Sequence, residues 1–211
     1  MSALDGLRSL LVLAPHPDDE VIGCGGLIAH VGAQGGQIAV CIMSDGAASH
    51  PGSRTHPPDR LRAERRRESL AALAHLGVGA DAVHCLDLPD GQSEGWHAPE
   101  QFDALMALPW DAIAVPSAYD NHADHRATQR LAAERASGTE LLHYLVWPME
   151  TGERPPAPCL ALDITPHRTR KAEALLHYAT QLGGIRDADW NFAIDQTLFQ
   201  RFTAPVEHFH A

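Results

Sequence analysis

The amino-acid sequence predicts an α/β fold built on a mostly parallel, doubly wound sheet. Short apolar or β-branched runs, typical of buried strands, alternate along the chain with longer segments of helical apolar spacing. Because such alternation produces right-handed βαβ crossovers, helices should cover both faces of the sheet. The chain has 211 residues, 45% of them apolar, which is enough for one well-buried core. We therefore expect a single domain over residues 1–211.

The first half of the chain supplies two strands and two helices of this pattern. "SLLVLA" at 9–14 is a wholly apolar run, and "QIAVCIMSDG" at 37–46 is a β-branched run that closes in a turn. Between them, "GGLIAHVGAQGG" at 25–36 has helical apolar spacing and ends in glycines. Residues 60–76, "RLRAERRRESLAALAHL", form a second helical segment that glycines stop. The stretch 44–59 is rich in Ser, Pro, Gly and His, and is long enough to be a functional loop.

The second half continues the alternation of strands and helices. The strand-like runs are 82–88, 111–117 and 141–148, and the helical segments are 100–108, 123–138 and 167–182. A further irregular stretch, "METGERPPAPC" at 149–159, should cover part of the surface. In parallel sheets, binding sites form at the carboxyl ends of the strands. Polar residues that directly follow the apolar runs are therefore the candidates for function.

Composition excludes several classes of partner. The chain has 16 Lys and Arg against 27 Asp and Glu, a net charge of −11, which disfavours nucleic acid. No apolar stretch approaches the ~20 residues of a membrane helix, and the first residues lack the pattern of a signal peptide. We expect a cytoplasmic protein with no membrane insertion. The cysteines form no C-x-x-C pair and are expected to be reduced thiols; they are Cys24, Cys41, Cys85 and Cys159.

Two polar clusters stand at the ends of buried strands. "PHPDDE" at 15–20 follows the first strand, and its three adjacent acids would repel one another unless a positive charge lay beside them. "HADH" at 122–125 follows a later strand and opens a helix. If the two strands are neighbours, His16, Asp19 and His125 form a set of two histidines and a carboxylate, common for catalytic zinc. Zinc would also offset the repulsion among the acids.

These segments also allow other interpretations. Either cluster alone could be a turn and helix N-terminus, since Asp and Pro are favoured there. "GCGG" at 23–26 suggests a dinucleotide-binding loop, but Ile28 stands where G-x-G-x-x-G requires its third glycine. The run "RLRAERRRE" at 60–68 is typical of an exposed helix face, because glutamates alternate with its arginines. Helical periodicity does not select one arginine that would enter a site.

The two clusters resemble the signature of the PIG-L, or LmbE-like, zinc-dependent N-deacetylases. That signature is A-H-P-D-D-E followed later by H-x-D-H, and Pro15 replaces its first alanine here. Weaker similarities lie at 44–46, 65–78, 88–91 and 174–181, so the resemblance runs through most of the chain. It implies a Rossmann-like fold and removal of an acetyl group from an N-acetylglucosamine-type amino sugar or its conjugate. The implied partner is this small-molecule substrate.

The resemblance also implies a role for each matching residue. His16, Asp19 and His125 would bind zinc, and Asp18 would be the general base. His122 would stabilise the oxyanion and protonate the leaving amine, with Asp124 orienting it. Arg65 and Asp90 match positions that contact the sugar, and Glu20 would support the loop.

Several points stay open in the sequence. A set of two histidines and one aspartate with open positions also accepts Fe²⁺ or Co²⁺. The same scaffold could serve an amidase or esterase that acts on a non-sugar acyl group, or a non-catalytic domain that binds a metal or ligand. Asp18 and His122 argue against the last, because neither is needed merely to hold zinc. The identity of the N-acetylated substrate and the oligomeric state, a homo-oligomer included, are undetermined.

Overall fold

Five parallel strands form the centre of the molecule. The computed structural model describes residues 3–149 and 160–210, and its main sheet has the strand order β3-β2-β1-β4-β5. All neighbouring strands in this sheet are parallel. The strands are β1 (Ser9–Ala14), β2 (Gln37–Ser44), β3 (Val83–Leu88), β4 (Ala112–Pro116) and β5 (Glu140–Tyr144). The predicted α/β class is therefore confirmed, and every predicted strand is present.

Helices cover both faces of this sheet. They are α1 (Asp19–Ala33), α2 (Pro58–His75), α3 (Glu100–Met106), α4 (Ala123–Ala133), α5 (Arg168–Leu175) and α6 (Gln196–Phe202). Side chains alternate along β1, so that Leu10 and Val12 pack in a core with α1, α2 and α5. Leu11 and Leu13 point the other way, into a second core with α3 and α4. The central strands β1, β2 and β4 are buried on both faces along most of their length, which explains why their sequences are almost continuously apolar.

Three helix boundaries differ from the predicted ones by five residues or more, and one of them is the end of α4, which lies at Ala133 rather than at 138. Helix α1 begins at Asp19 rather than at 25, so "DEVIGC" belongs to the helix and not to a loop before it. Helix α5 ends at Leu175, although the apolar spacing continues to 182. The backbone N–H of Thr180 donates instead to the carboxylate of Glu68, at 2.9 Å. A long-range hydrogen bond to α2 thus replaces the helical one, and the chain turns.

The C-terminal part adds an unpredicted second sheet. Strands β6 (Leu160–Asp163) and β7 (Val206–Phe209) pair antiparallel, and β7 contacts α1. Of the predicted irregular stretch 149–159, only Met149 belongs to the described residues, and Cys159 lies outside them. Cys24 and Cys41 are buried free thiols, and Cys85 is a half-buried one. Within the described ranges, no helix is both long and apolar enough to cross a membrane.

A buried ion pair connects this C-terminal part to the middle of α1. Lys171 Nζ donates to Glu207 Oε1 at 2.7 Å and to the backbone oxygen of Ile22 at 2.8 Å. The Glu207 carboxylate accepts the N–H groups of Gly26 at 2.7 Å and Leu27 at 2.9 Å. A Cβ atom on Gly26 would collide with Ile164 and Glu207. The "GCGG" run is therefore helical and admits close neighbours, which agrees with the rejection of a dinucleotide-binding loop.

We predict that Glu207→Gln lowers the free energy of unfolding by about 3 kcal/mol, because it leaves the buried Lys171 ammonium without a counter-ion. Urea denaturation followed by circular dichroism measures the change. Glu173→Gln is the matched control, since Glu173 pairs with His75 at the surface with a 56% exposed side chain. This control should change stability by less than about 0.5 kcal/mol. Equal effects of the two substitutions would contradict a stabilising role for the buried pair.

Candidate active site

The candidate site lies where the strand order of the sheet reverses. Strand β1 pairs with β2 on one side and with β4 on the other. The segments that follow β1 and β4 therefore meet at the carboxyl edge of the sheet, the usual place for a ligand in this architecture. This arrangement brings "PHPDDE" at 15–20 against "HADH" at 122–125. The convergence inferred from sequence is thus present in the structure.

The three candidate metal ligands approach one another closely. Asp19 Oδ2 lies 3.1 Å from His16 Nδ1 and 3.1 Å from His125 Nε2. His125 Nε2 is buried and makes no hydrogen bond despite this approach, which leaves its lone pair open to a metal. Ligand atoms around a tetrahedral metal, each ~2.1 Å from it, are separated by about this distance. The donor set fits a divalent metal, and nitrogens of His16, His122 and His125 also lie within 4.8 Å of one another.

A second carboxylate lies behind each of the two ligand histidines. His125 Nδ1 is 3.2 Å from Asp120 Oδ2, which also accepts the N–H groups of Val146 and Trp147 at 3.0 Å each. His16 Nε2 is 3.1 Å from Asp124 Oδ2 and 3.2 Å from Asp90 Oδ1. Such carboxylates set the orientation and basicity of a metal-binding histidine. Asp120 was missed in the sequence, where its position before H-x-D-H was the only signal.

The electrostatics of this cluster favour positive charge. Burial opposes ionisation of Asp19, but the nearby charges of His125 and His16 and the hydrogen bond with His16 outweigh it and hold its pKa below its usual range. Burial lowers the pKa of His125, yet Asp19 and Asp120 raise it to about 9. The carboxylates therefore create a field that attracts a cation to the histidine side of the cluster. This field agrees with the partner that the three consecutive acids predicted.

Asp18 lies beside the ligand cluster in a strained conformation. It precedes the first residue of α1 and has φ of 140° and ψ of −28°, a region that side-chain-bearing residues rarely adopt. Its backbone N–H donates to Glu20 Oε2 at 2.9 Å, and Arg65 Nη2 lies 3.2 Å from its carboxylate. Burial raises the pKa of Asp18 to about 8, although Arg65 opposes the shift. This geometry directs the carboxylate into the cavity beside Asp19.

Arg65 is the arginine of α2 that enters the site. Its side chain is 3% exposed, and it donates to the backbone oxygens of Pro17 at 2.8 Å and Gly46 at 2.9 Å. Sequence periodicity could not select it because the buried face of α2 is partly polar, with Glu68 and Ser69 beside it. The guanidinium therefore joins the loops after β1 and β2.

His122 is held through its backbone neighbours. The ring nitrogen Nδ1 of His122 accepts a hydrogen bond from the backbone N–H of Asp124 at 3.2 Å. The backbone N–H of His122 donates to the carboxylate of Asp120 at 3.0 Å. Burial and the nearby His16 and His125 lower the pKa of His122, and the neutral ring then carries its proton on Nε2. The Asp124 carboxylate lies 3.1 Å from His16 Nε2 and accepts the N–H of Gly91 at 2.9 Å. Asp124 thus contacts His122 through its main chain.

A cavity of about 450 Å³ opens beside His16, Asp18, Asp19 and His122, and its volume lies in the usual range for ligand pockets. Asp90 lines it, faces His16 and accepts the N–H of Ala48 at 2.9 Å. Residues from the C-terminal part complete the wall and were missed in the sequence; they are Trp147, Gln181, Trp190 and Phe192. The loop 44–59 reaches the same cavity through Ala48 and Ser49, while His50 is buried beneath it.

Comparison with known proteins identifies deacetylases as relatives. The chain is 32% identical over 157 residues to 1D-myo-inositol 2-acetamido-2-deoxy-alpha-D-glucopyranoside deacetylase from Mycobacterium sp. (strain KMS). This alignment covers 60% of this chain and 50% of that protein. It is 28% identical over 136 residues to 2'-N-acetylparomamine deacetylase from Streptomyces fradiae, over 56% and 48% of the two chains. The crystal structure of the A40926 pseudoaglycone deacetylase Dbv21 superimposes with a TM-score of 0.67, 27% identity and 83% coverage of each chain. The chain spans about half the length of the curated relatives it matches.

The family model PIG-L, described as GlcNAc-PI de-N-acetylase, matches residues 11–136. This segment is more than half of the chain, and it contains both polar clusters together with Arg65 and Asp90. The resemblance seen in the two motifs is therefore confirmed over a continuous stretch that runs from β1 beyond α4. The chain belongs to the PIG-L family.

Proposed function

We propose that this chain is a metal-dependent hydrolase that removes the acetyl group from an N-acetylglucosamine-type amino sugar or its conjugate. The observation that carries the proposal is the buried carboxylate of Asp18, which lies beside the metal-ligand cluster and faces the same cavity as His122. A domain that merely stored a metal would need neither group. The names of the relatives support the substrate class, because they describe deacetylases of acetylated amino sugars and a pseudoaglycone.

His16, Asp19 and His125 are the proposed ligands, and zinc is the proposed metal, with Fe²⁺ and Co²⁺ as alternatives of similar ligand preference. The contacts of the three side chains support this assignment, since both histidines approach one carboxylate oxygen. When bound, the metal supplies Lewis-acid chemistry that activates water and polarises an acyl oxygen. We also propose that residues 1–211 act as one domain, because the C-terminal part completes the cavity wall.

Asp18 is the proposed general base. Its carboxylate takes a proton from the attacking water while Arg65 and Glu20 hold the side chain and backbone in place. The amide C–N bond then breaks, the acetyl group leaves as acetic acid, and the sugar nitrogen receives from Asp18 the proton taken from water and becomes the amine. Burial raises the pKa of Asp18, which makes the carboxylate a stronger base than one in water. The same group can therefore accept and later return a proton.

His122 is the proposed donor to the developing oxyanion. The N–H of Asp124 bonds to its Nδ1, so the proton stays on Nε2, on the far edge of the ring. Asp124 assists by this bond and by orienting His16. Asp90 and Arg65 line the sugar side of the cavity in this proposal. Arg65 acts chiefly on Asp18, because its guanidinium already donates to Pro17, Gly46 and that carboxylate.

We predict that Asp18→Asn keeps the metal but lowers kcat for amine release by about 10²- to 10⁴-fold, because it removes the proton acceptor and no ligand. Metal content by mass spectrometry and turnover of N-acetylglucosamine glycosides measure the two effects. Asp59→Asn is the control, since the Asp59 side chain lies at the start of the same helix as Arg65 and is 94% exposed. Survival of turnover in Asp18→Asn would refute the assignment of the base.

We predict that Asp120→Asn weakens metal binding by about 10- to 100-fold, because His125 loses the carboxylate behind its Nδ1. Competition with a chromogenic chelator measures the affinity. Asp163→Asn is the matched control: Asp163 also accepts a backbone N–H, that of Thr165 at 2.9 Å, but it is exposed in the second sheet. Unchanged affinity in Asp120→Asn would show that Asp120 does not orient the ligand.

We predict that removal of metal with a chelator abolishes amine release, and that added Zn²⁺ restores it. Mg²⁺ should restore little, because it prefers six oxygen ligands to histidine nitrogens. Circular dichroism before and after chelation separates loss of activity from loss of fold. Full activity in the chelated protein would contradict a metal-dependent mechanism.

A further inference from the structure

Three aromatic side chains form one side of the cavity beyond the proposed ligands. This aromatic wall consists of Trp147, Trp190 and Phe192. The Trp147 and Phe192 rings meet edge to face at 5.9 Å between centroids, and the Trp190 ring lies 6.1 Å from Phe192. Trp190 is 59% exposed, which is unusual for so large an apolar side chain. The exposed indole face is thus available to a ligand that enters the cavity.

The loop that carries Trp190 and Phe192 is hydrogen-bonded to the loop after β2. Asp187 accepts a hydrogen bond from Ser53 Oγ at 2.7 Å and from the N–H groups of Arg54 and Thr55 at 3.0 and 2.9 Å. The N–H of Asp189 donates to Pro51 at 2.8 Å. His50 Nε2 donates to the backbone oxygen of Phe192 at 3.1 Å. These bonds hold the backbone that carries Trp190 and Phe192. A ligand ring that stacks on these side chains therefore causes little loss of backbone entropy.

Apart from the proposed metal, the described lining of the cavity offers an anionic group one basic side chain, that of Arg65. The Nη atoms of Arg65 donate to Pro17, Gly46 and Asp18, and its Nε is buried away from the cavity. Arg201, whose guanidinium carbon lies 5.4 Å from the Trp147 ring, donates to the backbone oxygen of Val146. A phosphate in the cavity would instead face the carboxylates of Asp18 and Asp90. Away from the proposed metal, charge therefore selects against anionic conjugates.

We infer that the cavity takes an amino sugar joined to a second, uncharged ring, whose apolar face stacks on Trp190 and Phe192. The inference rests on the proposed function, because it assigns the acetamido group to the metal side and the second ring to the aromatic wall. A sugar ring and an aromatic ring share the required chemistry, a flat face without charge. The wall is thus a specificity determinant that favours neutral two-ring conjugates.

The test compares kcat/KM of the metal-loaded protein for amine release from four N-acetylglucosamine derivatives. These are the methyl glycoside, the phenyl glycoside, a disaccharide with β-linked glucose, and the 1-phosphate. We expect at least one ring-bearing substrate to exceed the methyl glycoside by about tenfold, and the 1-phosphate to be the poorest. The two ring-bearing arms distinguish a sugar from an aromatic partner. Equal values for all neutral substrates, or a preference for the 1-phosphate, would overturn the inference.

Trp190→Ala should bring the ratio between the ring-bearing and the methyl substrate close to one. Leu176→Ala is the matched control, because Leu176 is also 59% exposed but does not line the cavity. This control should keep the wild-type ratio. A Trp190→Ala protein that retained the full ring preference would overturn the inference.

A binding measurement separates the inference from the proposed function. Calorimetric titration with the free-amine phenyl and methyl glycosides requires no turnover. If no derivative is deacetylated, the proposed function fails, whereas tighter binding of the phenyl glycoside, lost in Trp190→Ala, still supports the aromatic wall. Equal affinity for the two glycosides, or binding of neither, overturns the inference even if deacetylation occurs.

Discussion

The site depends on one buried carboxylate, that of Asp19. A single oxygen of this group lies 3.1 Å from the ring nitrogens of both His16 and His125, and so joins the segments after β1 and β4. Asp19 is the first residue of α1, where the helix dipole favours a negative charge. The sheet brings the two segments together, and the contact of His16 with Asp124 joins them a second time, but only Asp19 lies between the two ligand histidines. The proposed role of Asp18 as general base depends on the same placement, because Asp18 lies next to the proposed ligand Asp19 and is not itself a ligand.

Residues beyond the PIG-L match at 11–136 hold the acids of that matched segment. Tyr178 donates to Glu20 at 2.6 Å, and Thr180 donates to Glu68 from both its backbone and its hydroxyl group. Lys171 with Glu207 likewise bonds to the backbone of α1. Buried carboxylates are costly unless they accept hydrogen bonds, so these contacts stabilise the part of α1 and α2 that carries Asp18, Asp19 and Arg65. The C-terminal part is thus hydrogen-bonded to both helices that carry the site.

The sequence predicted the central strands β1, β2 and β4 because strands buried on both faces are almost continuously apolar, a signal that needs no tertiary information. The edge strands β3 and β5 contain polar residues, and they were predicted from shorter apolar runs within the alternation of strands and helices. It missed the start of α1, since "PHPDDE" resembles a turn and the apolar spacing becomes visible only later. It could not select Arg65 because the buried face of α2 contains Glu68 and Ser69, which hydrophobic periodicity assigns to the surface. The end of α5 was wrong for a related reason: Thr180 bonds to Glu68 rather than to its own helix.

By itself, the sequence determined the fold class, the two polar clusters at strand ends and the residues that approach one another there. Both polar clusters follow buried strands, and local patterns suffice to locate such strands. Only the tertiary structure decided that Asp120 faces His125, that Asp124 faces His16, and that Trp190 and Phe192 form a wall of the cavity. These contacts join segments far apart in the chain, such as Ser53 and Asp187. Their partners depend on how the loops pack across the edge of the sheet, which no local periodicity encodes.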